Sequence, residues 1–290
     1  PQRGVPLMVD AHFREHDIRM GILEKRLYAP ELPGGDTVTI LFAETTEARR
    51  AIAAMVEFCL KASREEVASL DGRRFSVVTA LAPRVAVTFS TAVGGLDAVL
   101  HADRLLQEKG KLPHPFTNPN SCVNMVGGKV SILTGATGPI CSTITACATG
   151  ITSLIIGEML LQRGMADVVI GGAVDFPLVE PIVAGFATMN GAYRPKEGQS
   201  AELPQKTSRP FSVNRRGFVV SEGAGCIVMA SQEFAQAHGL QPPFELAGWS
   251  MTSDASHFVA PKLATVQRCI EETIGNAGLK PEDIDAVNAH

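Results

Sequence analysis

The sequence predicts an α/β protein, because patterns typical of strand, turn and helix recur along the chain in that order. The β-branched run 84–90 leads through a Gly-Gly turn into a helical pattern at 97–107. The Ile- and Thr-rich run 139–146 leads in the same way into a helical pattern at 148–163. The apolar run 166–174 that follows is typical of a strand buried in a parallel sheet, and this alternation of strands and helices indicates α/β architecture.

The remaining elements follow from apolar periodicity and from the positions of glycine and proline. They are a loop-rich approach at 1–36, a strand at 37–42, a helix at 45–60, a strand at 74–79, an irregular stretch at 112–120, a helix at 122–133, a long irregular connection at 176–208, a strand at 219–229, a helix at 232–238, a strand at 244–250, a polar loop at 251–257, a helix at 263–277 and the beginning of a strand at 286–290. The segment Gln241-Pro-Pro243 is the best internal boundary, and it divides the chain into 1–243 and 244–290. Because the chain begins at Pro1 and stops within a predicted strand, we expect it to be part of a longer polypeptide.

Composition limits the class of partner. The chain has 290 residues, of which 45% are hydrophobic, so it can bury a substantial core. Its 26 basic and 30 acidic residues give a net charge of -4, which gives no electrostatic support for a nucleic-acid partner. No apolar run approaches the roughly 20 residues of a membrane-spanning helix, so no membrane partner is predicted.

The six cysteines are scattered and form no Cys-x-x-Cys pair. This spacing argues against a zinc site or a disulfide framework, and it indicates reduced thiols in a cytoplasmic setting. Although Gly94-Gly95 opens a helix, the chain has neither a Gly-x-Gly-x-x-Gly motif nor a P-loop lysine. We therefore predict no cofactor and no metal.

Cys147 is the candidate nucleophile. It stands where the predicted strand 139–146 meets the predicted helix 148–163, the geometry of a nucleophile elbow. The positive end of the helix dipole favours a thiolate there, and backbone N–H groups at the turn can stabilise an oxyanion. The residues alone leave open the alternative that Cys147 packs in the core, as free cysteines commonly do.

An ordered series of motifs resembles the β-ketoacyl synthases, the condensing enzymes of fatty-acid and polyketide synthesis. Thr145-Ala-Cys147 is similar to the nucleophile motif of that family, and Gly185-Phe186 lies where the family places a gating phenylalanine. The other matching segments are Gly94-Gly95-Leu96, Val123-Asn-Met125, Arg209-Pro-Phe, Gly217-Phe218, Glu222-Gly-Ala-Gly225, Met251-Thr-Ser-Asp-Ala-Ser-His257 and Asn288-Ala-His290. The resemblance covers about 85–290.

The resemblance implies a thiolase-like fold with layers α-β-α-β-α, whose second half is incomplete in this chain, and a homodimer or related heterodimer. It implies a β-ketoacyl-[acyl-carrier-protein] synthase, in which Cys147 accepts an acyl chain from the carrier protein and then undergoes decarboxylative Claisen condensation with a malonyl thioester. His290 matches the first catalytic histidine of the family. Phe186, Thr252 and His257 match substrate-binding positions, the last two in the loop that lines the pantetheine tunnel.

The chain also departs from the family pattern. The second histidine and the catalytic lysine of the family lie beyond residue 290. Ser212 and Arg216 replace residues that are acidic in the family, and Ser221 replaces a glycine. These changes make the loop basic, and we interpret it as a surface for an acidic carrier protein, with a solvated charged loop as the alternative. The residues that form this surface are Arg194, Lys196, Arg209, Arg215 and Arg216.

Two alternative functions remain open from the sequence. The first is a non-catalytic partner subunit that determines chain length in a heterodimer, although such subunits commonly lack the nucleophile that Cys147 supplies. The second is an acyltransferase or hydrolase that uses the acyl-cysteine without condensation. A cysteine protease is a distant alternative, because no Cys-Gly-Ser-Cys-Trp-like signature is present.

Overall fold

The computed structural model describes residues 10–11, 77, 80–193, 195, 206–242 and 244–290. Some of the predicted elements and residues lie outside these ranges. They are the approach at 1–36 apart from its residues 10–11, the strand at 37–42, the helix at 45–60, most of the strand at 74–79, and the basic side chains Arg194 and Lys196.

The described strands form one four-stranded sheet. These strands are β1 (Asp10–Ala11), β2 (Val85–Ser90), β3 (Val168–Asp175) and β4 (Gly223–Ala230), in the order β1-β4-β3-β2. β2 and β3 are parallel, with Val85 opposite Val168, as the apolar run 166–174 predicts. On its other edge β3 pairs with β4 in the antiparallel direction, so the sheet is mixed rather than purely parallel.

Helices connect and cover the strands. They are α1 (Leu96–Lys109), α2 (Thr117–Ser121), α3 (Asn124–Thr134), α4 (Thr149–Gln162), α5 (Glu180–Thr188), α6 (Gln232–Ala237) and α7 (Leu263–Asn276), with 3-10 turns at Ala82–Arg84, Ala146–Ala148 and Pro281–Asp283. Since α4 leads from the edge of β2 into the parallel strand β3, it is the crossover helix of a βαβ unit. The predicted irregular stretches at 112–120 and 176–208 are wrong in part, because α2 and α5 form within them.

The sheet has a core on each face, and the alternation of side chains along the strands assigns residues to them. Val85, Val87 and Phe89 of β2 face one core, together with Phe234 of α6. Ala86 faces the other core, and Leu154, Leu160 and Leu161 of α4 pack against that cluster. Gly157 lets α4 approach closely, because a Cβ there would lie 2.5 Å from Met229 Cε and 2.7 Å from Val169 Cγ1.

The predicted strand at 139–146 does not form. Ile140 makes an isolated parallel bridge with Val87, and the Cys141 N–H donates to the Val87 carbonyl at 3.0 Å. Beyond this point the segment has no strand partner within the described residues, and Ile144 is half exposed. The β-branched composition was a correct sign of extended backbone, but a strand also requires a neighbouring strand with free N–H and C=O groups.

The predicted strands at 244–250 and 286–290 are also wrong: beyond Phe244 neither stretch contains a strand residue in the described structure. Residues 246–252 lie instead along α7, where the Asn276 side-chain amide donates to the Trp249 carbonyl at 2.9 Å. The Trp249 indole N–H donates to Glu158 Oε2 on α4 at 3.0 Å. These contacts join the last quarter of the described chain to the βαβ unit.

Candidate active site

Cys147 lies on the 3-10 turn Ala146–Ala148 that immediately precedes α4, and its side chain is exposed. The turn is closed by the Ala148 N–H, which donates to the Thr145 carbonyl at 3.0 Å. Ala146 has a φ of 49°, in the left-handed region that residues with a Cβ seldom occupy. The exposed thiol therefore stands on a tight and strained turn at the start of the predicted helix, although the strand predicted to lead into Cys147 is absent.

Buried hydroxyl groups lie beneath this turn. The Thr149 hydroxyl donates to the Ala146 carbonyl at 2.7 Å and accepts from the Thr145 N–H at 3.0 Å. The hydroxyls of Thr145 and Thr152 are 2.7 Å apart. A left-handed residue other than glycine costs about 1–3 kcal/mol, and two hydrogen bonds of about 1 kcal/mol each offset much of that cost.

Asp175 fixes the end of β2 to the end of β3. Its Oδ1 accepts hydrogen bonds from the Thr91 hydroxyl at 2.8 Å, the Ala92 N–H at 2.9 Å and the Val93 N–H at 3.0 Å. The sequence reasoning did not identify Asp175, although an aspartate directly after a buried apolar strand is the signal that could have indicated it. The adjacent glycine turn is explained by packing, since a Cβ on Gly95 would lie 1.8 Å from the Asn120 carbonyl oxygen.

Phe186 lies on α5 and contacts Phe218 edge to face, with ring centroids 5.0 Å apart and an interplanar angle of 81°. The backbone joins the same two regions, because the Phe218 N–H donates to the Gly191 carbonyl at 2.9 Å and the Tyr193 N–H donates to the Phe218 carbonyl at 2.7 Å. The structure thus brings together two Gly-Phe motifs that are distant in sequence.

Thr252 and His257 belong to a loop that packs on the N-terminus of α7. The Thr252 hydroxyl donates to the Thr265 carbonyl at 3.4 Å. Asp254 accepts from the Lys262 N–H at 2.7 Å and from the Thr265 hydroxyl. These hydrogen bonds, that of the Thr265 hydroxyl first, lower the pKa of Asp254. The loop is therefore held by a carboxylate that caps the helix.

His257 has a defined tautomer in this loop. Its Nδ1 accepts from the N–H groups of Val259 at 3.2 Å and Ala260 at 3.1 Å. A ring nitrogen that accepts carries no proton, so the neutral imidazole is protonated on Nε2 and can donate from that atom. The His257 side chain is exposed.

His290 is exposed and follows the 3-10 turn Pro281–Asp283 without a further helix or strand in the described structure. Within the described part of the chain, no hydrogen bond links His290 to Cys147 or either of them to Phe186. Phe186 contacts the ring of Phe218, and Thr252 donates a hydrogen bond to Thr265 on α7. The geometry thus contains an accessible thiol on a helix terminus, a paired aromatic side chain and a capped loop.

The other described cysteines are also free thiols, but they differ from Cys147 in environment. Cys226 packs against the core on β4, and burial raises the pKa of its thiol to about 12. Among the residues that the structure describes, no three His, Cys, Asp or Glu side chains converge as metal ligands would. None of the helices described has both the length and the apolarity needed to cross a membrane.

Comparison with known proteins identifies the family. The family model described as "Beta-ketoacyl synthase, N-terminal domain" matches residues 41–235, and "Beta-ketoacyl synthase, C-terminal domain" matches residues 244–290. A 3-oxoacyl-[acyl-carrier-protein] synthase 2 of Staphylococcus aureus is 34% identical over 249 residues, which cover 84% of this chain and 59% of that protein. The chain spans about half to three fifths of the length of the curated relatives it matches.

Two solved structures share the fold. A β-ketoacyl synthase from Burkholderia phymatum STM815 matches with a TM-score of 0.68 at 24% sequence identity. The match covers 99% of this chain and 72% of the Burkholderia chain. A chain in the structure of a type II polyketide-synthase acyl-carrier protein in complex with its ketosynthase bound to the hexaketide matches with a TM-score of 0.65 at 24% sequence identity. That match covers 70% of this chain and 51% of the other chain. These similarities confirm the predicted thiolase-like α/β fold. Because the N-terminal domain model alone matches more than half of the residues, the chain belongs to the β-ketoacyl synthase family.

Proposed function

We propose that this chain functions as a β-ketoacyl-[acyl-carrier-protein] synthase with Cys147 as its nucleophile. The observation that carries the proposal is the position of Cys147, whose thiol is exposed on the turn that leads into α4. Curated relatives that are 34–35% identical to this chain over the aligned residues are 3-oxoacyl-[acyl-carrier-protein] synthases. An exposed thiol at a helix N-terminus is suited to accept an acyl group from a thioester.

The first step transfers the acyl chain. The Cys147 thiolate attacks the carbonyl carbon of the carrier thioester, a new carbon–sulfur bond forms, the carbon–sulfur bond to the carrier breaks, and the departing carrier thiolate takes a proton from solvent. The Cys147 backbone N–H donates to the carbonyl oxygen as it becomes negative. This covalent step divides a difficult condensation into two easier reactions.

The second step forms the carbon–carbon bond. A malonyl thioester loses carbon dioxide, and the electron pair of the broken bond becomes an enolate whose oxygen accepts a hydrogen bond from His290. The nucleophilic carbon then attacks the acyl-cysteine carbonyl. The carbon–sulfur bond breaks and returns the Cys147 thiolate.

Three further residues complete the proposed substrate site. We assign Phe186 as the gate for the acyl chain, supported by its ordered contact with Phe218 on a short helix. We assign Thr252 and His257 to the wall of the pantetheine tunnel. The exposed Nε2–H of His257 supports that role, because it can donate to an amide carbonyl of the pantetheine arm.

The test of the nucleophile is intact mass after incubation with an acyl-carrier thioester. We expect wild type to gain one acyl mass, Cys147→Ala to gain none, and Cys122→Ala, which removes another exposed thiol, to gain the same mass as wild type. A wild-type protein without acyl mass, or an acyl group on Cys122, would contradict the proposal.

Carbon dioxide release from a malonyl-carrier thioester then tests condensation. In a polypeptide that also carries the second histidine and the lysine of the family, wild type should release carbon dioxide and form the β-ketoacyl product, whereas His290→Ala should lose release about 100-fold or more while it still accepts the acyl group on Cys147. Free fatty acid without carbon dioxide would identify an acyltransferase or hydrolase instead. A lack of both reactions would identify a non-catalytic partner subunit.

The proposed partner is an acyl carrier protein, as in the complex of a type II polyketide-synthase acyl-carrier protein with its ketosynthase. The basic loop supports an acidic partner, because Arg215 is exposed and is followed by the partly exposed Arg216. Arg209 adds little to this surface, since its Nε and Nη2 atoms are buried. Reversal of Arg215 and Arg216 to Glu should raise the KM for acyl carrier about tenfold and leave kcat unchanged. Reversal of the exposed Lys109 and Lys111 to Glu is the matched control; an equal rise in KM would refute the docking role.

We also infer a homodimer or a related heterodimer, from the family resemblance, and a cytoplasmic setting. The five cysteines in the described part of the chain are free thiols, which supports a reducing compartment.

A further inference from the structure

Ala146, the residue before Cys147, has a backbone conformation that its own side chain disfavours. Its φ of 49° places it in the left-handed region, where a Cβ crowds the backbone. Such a conformation persists only where neighbouring groups hold it. The neighbour that contacts both sides of this residue is Thr149.

The Thr149 hydroxyl makes two hydrogen bonds to the turn. It accepts from the Thr145 N–H at 3.0 Å and donates to the Ala146 carbonyl at 2.7 Å, and the Thr149 N–H donates to the same carbonyl. The side chain is only 1% exposed, so water cannot replace these bonds if the hydroxyl is removed.

These bonds determine where the Cys147 N–H points. The Ala146 carbonyl and the Cys147 N–H belong to one peptide unit, and no described peptide bond is cis. In a trans peptide the C=O and N–H point in opposite directions. Because Thr149 holds the carbonyl toward the first turn of α4, the Cys147 N–H is directed away from that turn.

We propose that Thr149 is a positioning residue for Cys147, whose buried hydroxyl orients the Ala146–Cys147 peptide so that its N–H meets the developing oxyanion. This inference rests on the proposed function, in which Cys147 accepts an acyl group. Thr149 touches neither substrate nor the reacting atoms.

The experiment compares two reactions at the same sulfur. Transfer of an acetyl group from p-nitrophenyl acetate develops an oxyanion, whereas alkylation by iodoacetamide does not. Both rates are measured at Cys147 in the full chain by peptide mass spectrometry, with the exposed Cys122 as internal reference. A merely structural loss lowers both rates together, so the ratio of acylation to alkylation reports on the N–H.

We expect Thr149→Val and Thr149→Ala to lower this ratio about tenfold, since they misdirect an oxyanion donor. Thr149→Ser keeps the hydroxyl and should restore the ratio to within about twofold of wild type. The matched control is Ser153→Ala, which removes an equally buried hydroxyl of α4. That hydroxyl donates to the Thr149 carbonyl at 2.9 Å and not to residues 145–147 of the turn.

An unchanged ratio of acylation to alkylation in Thr149→Val and Thr149→Ala would overturn the proposal. A decrease of this ratio in Ser153→Ala as large as in the Thr149 variants would overturn it too. If the valine variant does not fold, the alanine and serine variants carry the same comparison. Failure of a carrier thioester to acylate wild type would instead overturn the proposed function, and the ester ratio would still decide the role of Thr149.

Discussion

Cys147 and Cys226 are both free thiols, and their positions give them opposite reactivity. Cys147 is exposed at a helix N-terminus, whereas Cys226 packs against the core on β4. Burial raises the pKa of Cys226 to about 12, because the thiolate would lose its hydration. Oxidation and alkylation require the thiolate, so the chain keeps one of these sulfurs inert while the other is accessible.

We therefore predict selective alkylation of the folded protein. Because burial raises the pKa of the Cys226 thiol to about 12, very little of its thiolate is present at pH 8, so iodoacetamide should label Cys147 and leave Cys226 unlabelled. In 8 M urea both should react at similar rates. Peptide mass spectrometry measures the labelling, and reaction of Cys226 at a rate near that of Cys147 in the folded chain would contradict the assignment.

At the level of elements, an ion pair between Arg84 and Asp167 links the N-terminal ends of the parallel strands β2 and β3. Arg84 Nε donates to Asp167 Oδ2 at 2.9 Å and Arg84 Nη2 to Oδ1 at 2.5 Å, immediately before β2 and β3 respectively. The Arg84 Nη1 also donates to the Gly164 carbonyl at 2.9 Å, beyond the end of α4. The hydrogen bonds from Arg84 lower the pKa of Asp167, so the pair stabilises the βαβ unit when the carboxyl is ionised.

We expect Asp167→Asn to lower the free energy of unfolding by about 1 kcal/mol at pH 7, a value reduced for the partial exposure of the pair. Since the folded pKa lies below the unfolded value of about 3.9, the contribution is present above that pH and is lost as the pH falls through the folded pKa. Urea titrations from pH 6 to pH 3 should show wild type converging on the variant.

The matched control for this prediction is Glu180→Gln. It breaks the ion pair with Arg104 at 3.2 Å, in which both side chains are largely exposed, and it should change stability by less than about 0.5 kcal/mol. Equal losses of stability in Asp167→Asn and Glu180→Gln, or a gap between wild type and Asp167→Asn that does not narrow as the pH falls from 6 to 3, would show that Asp167 does not act through this pair.

At the scale of the whole molecule, Trp249 connects the C-terminal segment to the helix that begins beside Cys147. Its indole N–H donates to Glu158 on α4, and Leu246 packs against the core cluster that contains Val169 and Met229. Gly248 allows close contact with α7, because a Cβ there would lie 2.6 Å from the Ala277 nitrogen. The C-terminal segment therefore contacts both α4 and the core cluster beneath it.

Because Trp249 is the one tryptophan of the sequence, its fluorescence reports on this junction. Glu158→Ala should increase acrylamide quenching and lower the free energy of unfolding by about 1–2 kcal/mol, through loss of the hydrogen bonds that its carboxylate accepts from the Trp249 indole and the Gln162 side-chain amide. Glu233→Ala, an exposed change on α6, is the control and should leave the quenching of Trp249 unchanged. Unchanged quenching in Glu158→Ala would show that the hydrogen bond does not hold the segment.

Several features of the fold and site could be read from short windows of sequence. The helices at 96–109, 149–162 and 263–276 agree with the predicted ones to within two residues, because periodicity and terminal glycines are local signals. The position of Cys147 before α4 follows from the same signals. The ordered motifs supplied the family, which the comparisons confirm.

Other features depended on partners that no short window reveals. Whether residues 141–145 form a strand depends on a neighbouring strand, and the antiparallel placement of β4 depends on which edge of β3 it meets. The contact of Phe186 with Phe218 and the three hydrogen bonds of Asp175 also join residues far apart in the chain.

The sequence by itself determined the α/β class, the main helices and the candidate nucleophile, because composition, periodicity and motif spacing act over a few turns of chain. Only the tertiary structure decided the sheet order, the capped loop that holds His257, and the hydroxyl of Thr149 beneath the Cys147 turn. The physical reason is that a hydrogen bond or a packed face has two partners, and folding alone brings the second one into place.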